Sequence, residues 1–446
     1  MAKKNIIPVS AYTPPPNGYR TLRGSGKDET EWLGQSFQTE ERYREYRECG
    51  FDELLIAGED KYLGEEFESS KTKKLMDLAL KTDLKAIVFD ERILALTVNA
   101  KHNIVGELFD TQEALDEFVA DCMKDYKNHE AFDGISIIDE PFYDRLGVIE
   151  EICLAVKRTC PNALVHTCLL PYLEDHQFCI EHFSNECEDD FKCYDTYLEK
   201  MGKALGYVHY DRYPFSNWDG KNIFNSEHLR TMQEAAWTAQ KNGLPFWITG
   251  QSYSEGFKDA TRPVDEHDMF WQVNTFLGFA VKKVYWYTYW RFSTRKWIDS
   301  VPTAIMDDDG TRMIYDEVQR ANAYMQKVAA YTLEYDYDSS QLLTKNGEGN
   351  GATKSLIKKE LGILSSYSVD APVVVNKLTK DGREIYAFMN VREPSEKVVN
   401  RVSLTFKNAK ELVILKDGEK LEMPLDNGNA SFVLSPGEAI WVLEIK

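Results

Sequence analysis

The sequence lacks long hydrophobic runs. No stretch of its 446 residues is apolar over the length that a membrane span needs. The apolar run before Ser10, IIPV, is far shorter than the core of a signal peptide. These absences predict a protein without a membrane partner, located in the cytoplasm.

Positive charge is also scarce. Lys and Arg together number 53 against 73 Asp and Glu, which gives a net charge of -20, and no basic stripe interrupts this balance. Polyanions bind to clustered basic residues, so nucleic acid and anionic membrane surfaces are not expected as partners.

The cysteines lack the spacing of a metal-binding or redox motif. There is no CxxC pair and no His-rich segment that would complete a zinc site. We interpret the cysteines as reduced thiols, which agrees with a cytoplasmic location, and keep a structural zinc site as the alternative. The eight are Cys49, Cys122, Cys153, Cys160, Cys168, Cys179, Cys187 and Cys193.

Several catalytic motifs are missing. The chain has no GxSxG nucleophile elbow, no Walker A loop and no HExxH motif. No GxGxxG follows the first predicted strand, which argues against a dinucleotide-binding open sheet. We therefore expect no metal and no organic cofactor.

What the sequence does contain is a repeated alternation of short β-rich runs and longer helical patterns, from residue 5 to about residue 335. Eight such units can be counted, and eight β/α units of this total length predict a (β/α)8 barrel, with a doubly wound sheet as the alternative. From residue 336 onward, alternating segments separated by DG and NG turns predict a small antiparallel β-sandwich. The predicted domains are residues 1–335 and 336–446. The eight predicted strands are NIIPVSAYTP, DELLIAGED, LKAIVFDER, DGISIIDEP, ALVHTCLLPY, YVHYDRYPF, LPFWITGQSY and KKVYWYTYW.

Polar residues collect where these strands end. The active sites of (β/α)8 barrels lie at the C-terminal ends of the strands, so these residues are candidates for a site. They are Glu59, Asp60, Asp90, Glu91, Asp139, Glu140, His209, Asp211 and Gln251.

Glu140 is the first candidate for catalysis. An apolar run leads directly into Asp139 and Glu140, and Pro141 biases the residue before it toward extended geometry, which would aim the Glu140 carboxyl group into the barrel mouth. Burial there raises the pKa of a carboxyl group into the range useful for a general acid, and the charge of Asp139 would add to this rise. The alternative is a solvated loop acid, or an ion pair with Arg145.

Asp211, at the end of strand six, is the candidate for a second catalytic carboxylate. It lies between His209 and Tyr213, which we expect to contact a ligand, and its alternative role is a salt bridge with Arg212. Gln251, at the end of strand seven, can hydrogen-bond a substrate hydroxyl but cannot act as a base or nucleophile. The nearest carboxylate to it in sequence is Glu255.

Strand eight is rich in aromatic residues. Trp286 and Trp290 are four residues apart, so both are expected on the same side of the strand, where flat rings can stack on sugar rings. Trp290 is the better candidate because it is nearer the C-terminal end, and packing against the outer helices is the alternative. Further expected cleft walls are Tyr213, Tyr253, Trp218 and Trp297.

A metal site is a minor alternative. His166 and His209, from strands five and six, would join Asp139 or Glu140 as ligands of a metal-dependent hydrolase or isomerase. A single histidine in a strand is more often a hydrogen-bonded core residue.

Three segments resemble the large clan of glycoside hydrolases built on a (β/α)8 barrel, including the β-galactosidase-like enzymes. They are IIDEP, HYDRYPF and TAIMDDDGTRMIYDEVQRANAYM, and the C-terminal LSPGEAIWVLEI is similar to the closing strands of the sandwich domains of that clan. The resemblance implies that Glu140 is the acid/base, with Asp139 in place of the usual Asn. It also implies that Gln251 stands at or beside the position of the usual nucleophilic Glu.

This departure leaves three explanations open. Asp211, or Glu255, supplies the second carboxylate; Gln251 orients a substrate group that itself attacks, or replaces a catalytic residue; or the barrel only binds sugar. The leading hypothesis is a hydrolase of oligosaccharides or glycosides that uses carboxylate acid/base catalysis. The alternatives are a non-catalytic sugar-binding barrel and the metal-dependent enzyme. The sugar, the linkage, retention or inversion, and the oligomeric state stay open, with a homo-oligomer among the choices.

Overall fold

The computed structural model of the chain describes most of its length. The described residues are 5–22, 29–32, 34–56, 60–173, 176–183, 189–219, 221–255, 260–291, 303–345 and 351–446.

The first two thirds of the chain alternate between strands and helices. The strands in this part are β1 (Val9–Ala11), β2 (Tyr19–Leu22), β3 (Glu29–Trp32), β4 (Glu53–Leu55), β5 (Lys85–Phe89), β6 (Phe132–Ser136), β7 (Leu164–His166), β8 (Val208–Asp211), β9 (Phe215–Trp218), β10 (Lys221–Phe224), β11 (Phe246–Gln251) and β12 (Lys283–Tyr287). The helices are α1 (Glu40–Glu48), α2 (Lys71–Lys81), α3 (Glu91–Asn99), α4 (Gln112–Met123), α5 (Leu146–Thr159), α6 (His176–His182), α7 (Asp190–Leu205), α8 (His228–Lys241), α9 (Glu266–Gly278) and α10 (Tyr315–Thr332).

Eight of these strands form one parallel sheet that closes on itself. In spatial order they are β1, β4, β5, β6, β7, β8, β11 and β12, which is also their order along the chain. β12 pairs with β1 at one junction. The segment after β7 reaches β8 at the other, where Leu169 pairs with Tyr210 and its N–H donates to the His209 carbonyl at 2.8 Å. The predicted (β/α)8 barrel is confirmed, with hairpins β2–β3 and β9–β10 inserted after its first and sixth strands.

The outer helices are amphipathic and capped. α5, for example, buries Val148, Ile149, Ile152 and Val156 along one face, the spacing of three and four that the sequence shows. Side-chain oxygens at six helix N-termini accept backbone N–H groups that have no partner within the helix. These cap residues are Thr39, Ser70, Asp90, Thr111, Asp189 and Asp265.

The remainder of the chain forms two antiparallel sheets. One has the order β13-β15-β16-β21-β18-β19 and the other β14-β17-β20, and a second apolar core lies between them. This is the predicted β-sandwich. The division into separate domains at residue 336 stays a prediction. The strands are β13 (Asp336–Leu343), β14 (Leu364–Val369), β15 (Val373–Lys380), β16 (Arg383–Asn390), β17 (Asn400–Phe406), β18 (Glu411–Lys416), β19 (Glu419–Pro424), β20 (Asn429–Leu434) and β21 (Ala439–Ile445).

Buried polar contacts join the six-stranded sheet to the barrel helix α9. The Asn376 side chain donates to the Gly278 carbonyl at 2.9 Å, and Asn274 of α9 donates to the Gly437 carbonyl at 2.9 Å. The sandwich thus packs directly behind the loops that leave β11. Within the described ranges, no helix has both the length and the apolar character required to cross a membrane.

Candidate active site

A cavity of about 200 Å³ lies at the C-terminal ends of the barrel strands. Its walls come from the ends of six strands, since parallel strands bring their carboxyl ends to the same face of the barrel. The lining residues are Tyr12 after β1, Asp139 and Glu140 after β6, Cys168 after β7, Asp211 at the end of β8 and Tyr213 after it, Thr249 in β11 and Tyr253 after it, and Tyr287 at the end of β12.

The turn after β6 presents Glu140 to this cavity. The Glu140 N–H donates to the Cys168 carbonyl at 2.9 Å, and the Tyr197 hydroxyl donates to the Pro141 carbonyl at 2.6 Å. Glu140 has a φ of +47°, in the left-handed region, so the extended geometry that we expected from Pro141 is wrong. These two hydrogen bonds hold the turn in a conformation that costs a non-glycine residue roughly 1–3 kcal/mol.

Arg145 does not satisfy the carboxyl group of Glu140. Its guanidinium donates to the carbonyl oxygens of Ala100 and Lys101, and lies 3.9 Å from the Asp144 carboxylate. The alternative prediction of a Glu140–Arg145 ion pair is therefore wrong, which leaves Glu140 to the cavity.

The carboxyl groups of Glu140 and Asp211 lie close together, and a hydrogen bond between them influences the pKa of each. Burial, the charges of Asp211 and Asp139, and the hydrogen bond to Asp211 all raise the pKa of Glu140. Burial also raises the pKa of Asp211, although hydrogen bonds from Tyr213 and Glu140 and the charge of Arg212 oppose this rise. The arrangement suits a protonated Glu140 that donates to an ionised Asp211. One Asp211 oxygen, Oδ1, is buried and has no hydrogen-bond partner in the described part of the chain.

Asp139 is the third carboxyl group of the cavity. Burial and the charge of Asp211 raise its pKa to about 7, although the backbone N–H groups of Glu140 and Cys168 stabilise its ionised form. Asp139 and Glu140 are nevertheless exposed residues, which water reaches through the cavity mouth. The site therefore combines protein on most sides with an open entrance.

Four tyrosine rings form the aromatic part of the wall. The centroid distances are 4.8 Å for Tyr253–Tyr287, 5.0 Å for Tyr213–Tyr253 and 5.5 Å for Tyr12–Tyr287. The Tyr12 hydroxyl has no protein partner among the described residues, although it is buried. Tyr213 and Tyr253 were predicted as ligand contacts, whereas Tyr12, Tyr287, Cys168 and Thr249 were not. All four belong to predicted strands, so the strand-end rule would have found Tyr12 and Tyr287.

The structure places both tryptophans of strand eight outside the cavity lining. Trp286 is fully buried, and its indole N–H donates to Asn322 of α10 at 3.0 Å. Because side chains alternate along a strand, Tyr285 and Tyr287 take the inner side of β12. Trp290 lies beyond the end of β12, is 2% exposed, and packs on Phe37 at 4.6 Å. Their contacts are those of the core, which was the alternative prediction.

Gln251 is also absent from the cavity lining. Its side-chain oxygen accepts the Phe215 N–H at 3.0 Å, and its amide nitrogen donates to the carbonyls of Phe215, Tyr253 and Arg262 at 3.0–3.2 Å. Backbone groups thus occupy both the oxygen and the nitrogen of the Gln251 amide. Gln251 ties the loops after β8 and β11 together, one of which carries Tyr253.

His209 lies one layer deeper in the barrel than Asp211. It is fully buried, and its ring nitrogens face the Thr167 carbonyl at 3.1 Å and the Thr249 hydroxyl at 2.9 Å. Burial lowers its pKa to about 3, so it is neutral, and it contacts a lining residue without lining the cavity itself. His166 is buried beside it, with ring centroids 5.5 Å apart.

The His-carboxylate metal site finds no support in this geometry. Within the part of the chain that the structure describes, no group of three or more His, Cys, Asp or Glu side chains is arranged to hold a metal ion. The two histidines instead meet barrel-interior partners, such as Ser136 at 3.3 Å from His166.

Other strand-end candidates have structural partners. Asp60 accepts hydrogen bonds from Asn17 and Gln38 at 2.9 and 2.7 Å, and Asp90 caps α3. Trp218 is 60% exposed on the β9–β10 hairpin. Glu91 and Glu255 do not line the cavity. Glu59 and Trp297 lie outside the described residues.

Comparison with known proteins gives a likeness of fold. No family model matches the chain. No curated protein matches it either. Among solved structures, the chain is similar to an α-amylase from Geobacillus thermoleovorans complexed with acarbose, with a TM-score of 0.53 and 12% identity, covering 99% of both chains. It is also similar to a structure described as a glycoside hydrolase, with a TM-score of 0.51 and 9% identity, covering 97% of this chain and 98% of the other. The predicted resemblance to barrel glycoside hydrolases is confirmed at the level of the fold, which is what identities this low can show.

Proposed function

We propose that the protein is a glycoside hydrolase that cleaves oligosaccharides or glycosides by carboxylate acid/base catalysis. The observation that carries this proposal is the contact between the carboxyl groups of Glu140 and Asp211 in a cavity at the catalytic face of the barrel. Glycosidic bonds are cleaved by such pairs, in which one carboxyl group holds a proton and the other is ionised.

Glu140 is the general acid of the proposed reaction. Its raised pKa keeps a proton on the carboxyl group at working pH, ready for transfer to the glycosidic oxygen as the bond to the leaving group breaks. Asp139 supports this state, because its negative charge disfavours ionisation of Glu140.

Asp211 supplies the second carboxylate, which makes a Glu on strand seven unnecessary. Asp211 is only partly buried and lines the cavity, so its carboxylate can attack the anomeric carbon of a bound sugar. The hydrogen bond from Tyr213 helps to hold Asp211 ionised and oriented.

The closeness of the two groups favours retention. Inverting enzymes separate their carboxyl groups by roughly 6.5–9.5 Å to fit a water molecule, whereas retaining enzymes need only about 5 Å. Groups in hydrogen-bond contact leave no room for that water. In the second step, Glu140 as carboxylate takes a proton from water, which attacks the anomeric carbon and releases Asp211.

The tyrosines supply the sugar contacts that were first assigned to Gln251 and Trp290. The Tyr12 hydroxyl, which no described residue engages, can donate to or accept from a sugar hydroxyl, and the ring of Tyr287 offers an apolar face. The ligand is thus a sugar held between hydroxyl groups and aromatic rings.

We also propose a cytoplasmic location. Cys49, Cys122, Cys153, Cys160 and Cys168 are thiols, as expected for a reducing compartment.

The test uses the full chain with a panel of aryl glycosides of both anomeric configurations. Glu140→Gln and Asp211→Asn should each lower kcat by at least about 10³-fold, while Asp144→Asn, at a 54% exposed carboxylate in the segment after Pro141, should match the wild type. NMR of the first product should show the anomer of the substrate.

Azide separates the two roles. With activated aryl glycosides, azide should rescue Glu140→Gln and yield a glycosyl azide of retained configuration, whereas with Asp211→Asn the azide product should be inverted. Absence of turnover across the panel together with saturable sugar binding would refute the enzyme and indicate a sugar-binding barrel.

A further inference from the structure

The cavity is lined by acidic side chains without basic ones among its described residues. Three carboxyl groups and four tyrosines line it together with Cys168 and Thr249, and the described lining residues include no Lys, Arg or His. A catalytic pair consists of two carboxyl groups, and the third, Asp139, transfers no proton and forms no bond in the proposed reaction, so it can also bind a charged group of the substrate.

Among the residues that the structure describes, no cation lines the cavity to balance its negative charge. Arg212 is buried and does not line the cavity, and its charge influences Asp211 from behind β8. Burial and the charge of Asp211 raise the pKa of both Asp139 and Glu140, so both resist ionisation. A bound cation would relieve this repulsion, whereas an anion would add to it. The net charge of -20 adds a long-range field of the same sign.

The tyrosines form a partial cage around the same space. Tyr253 stands edge-on to Tyr287 at 4.8 Å and to Tyr213 at 5.0 Å, so ring faces and edges of different orientation meet at one wall. The faces of aromatic rings carry partial negative charge and attract ammonium groups within about 6 Å. The aromatic rings and the carboxylates of the cavity therefore both favour a ligand with a positive charge.

The volume limits the ligand to about one ring. A cavity of about 200 Å³ is smaller than the roughly 300–1,000 Å³ of sites for drug-sized ligands. A single sugar unit fits this scale, and any further unit would extend through the mouth.

We infer that the cavity selects a sugar unit bearing a protonated amine over a neutral sugar of the same configuration, and rejects sugars bearing a carboxylate. Asp139 is the partner of the ammonium group, because Glu140 and Asp211 are engaged with each other. The inference rests on the proposed function, from which it takes sugar as the ligand, and it adds the charge of that sugar.

Calorimetric titration of the full chain with free sugars tests the inference without requiring turnover. At low ionic strength and near-neutral pH, the probes are glucosamine, glucose and glucuronate, and the matching galactosamine, galactose and galacturonate. In the set whose configuration fits, we expect the amino sugar to bind about tenfold more tightly than the neutral sugar, and the uronate at least about tenfold more weakly.

Two variants assign the effect to the cavity. Asp139→Asn should reduce the ratio of amino-sugar to neutral-sugar affinity about tenfold, and Asp144→Asn, which removes the same charge outside the cavity, should keep the wild-type ratio. Circular dichroism melting confirms that each variant is folded.

Three results would overturn the inference. They are an amino sugar that binds no more tightly than its neutral counterpart, a uronate that binds as well as the neutral sugar, and the absence of binding in both sets. Failure of the proposed function is a separate result: glycosides would not be hydrolysed, whatever the order of these affinities.

Discussion

Removal of one carboxylate between barrel and sandwich should destabilise the protein. Arg262, in the segment after β11, donates to both oxygens of Asp268 at 2.7 Å and also to Glu393 of the sandwich. Arg262 and Glu393 have side chains only 7% and 8% exposed. We consider the substitution Glu393→Gln, which keeps the shape of the side chain and removes its charge.

The expected loss follows from what remains after the substitution. Arg262 keeps its bidentate partner Asp268, so the full cost of roughly 3–5 kcal/mol for breaking a buried ion pair does not apply. A charge-assisted hydrogen bond becomes a weaker neutral one, and such bonds to charged groups contribute about 1.5–3 kcal/mol. We therefore expect the free energy of unfolding to fall by about 2 kcal/mol.

A second ion pair between barrel and sandwich provides the control. Lys327 of α10 and Glu419 of β19 are 2.9 Å apart, but their side chains are 53% and 70% exposed. Glu419→Gln removes the same charge from the same part of the fold, and exposed pairs contribute at most about 1 kcal/mol. Its expected cost is below about 0.5 kcal/mol.

Urea unfolding followed by tryptophan fluorescence measures both variants. A shift of the midpoint at constant slope reports the change in stability. The reasoning fails if Glu393→Gln is within about 0.5 kcal/mol of the wild type, or if the two substitutions cost the same.

Three further predictions concern the cavity and its supports. Because the pKa of Asp139 is raised to about 7, the folded protein binds more protons than the unfolded chain between about pH 4 and about pH 7. The free energy of unfolding should therefore fall as the pH rises through that window. Urea unfolding at a series of pH values should show that this fall with pH is smaller for Asp139→Asn. Gln251→Glu should lower the free energy of unfolding by roughly 3 kcal/mol in the same assay, since the new carboxylate would face three carbonyl oxygens. It should add no turnover, and a gain of activity would show that Gln251 replaces a catalytic Glu. Tyr12→Phe should change stability by less than about 0.5 kcal/mol, because none of the described residues bonds to the hydroxyl, but it should weaken sugar binding by roughly 2- to 10-fold in calorimetry; unchanged binding would remove Tyr12 from the site.

Periodicity along the chain made the architecture predictable. The alternation of β-rich and helical patterns is a local property, and eight such units have few ways to bury their apolar faces besides a barrel. The end of a strand can also be recognised locally, and the C-terminal ends of parallel strands meet at one face. Glu140, Asp211, Tyr213 and Tyr253 were therefore placed near one another from the sequence.

The direction of each side chain was not determined in this way. Trp286 and Gln251 stand at strand ends as the candidates did, but one faces the outer helices and the other binds loop backbone. A strand in a barrel is apolar on both sides, so its pattern does not distinguish inside from outside. Tyr12 comes from the first strand and Tyr287 from the last, and closure of the barrel brings their rings to 5.5 Å. The sequence by itself determined which chemistry stands at the strand ends, whereas tertiary structure decided which groups share the cavity, because distance and burial depend on contacts between residues far apart in the chain.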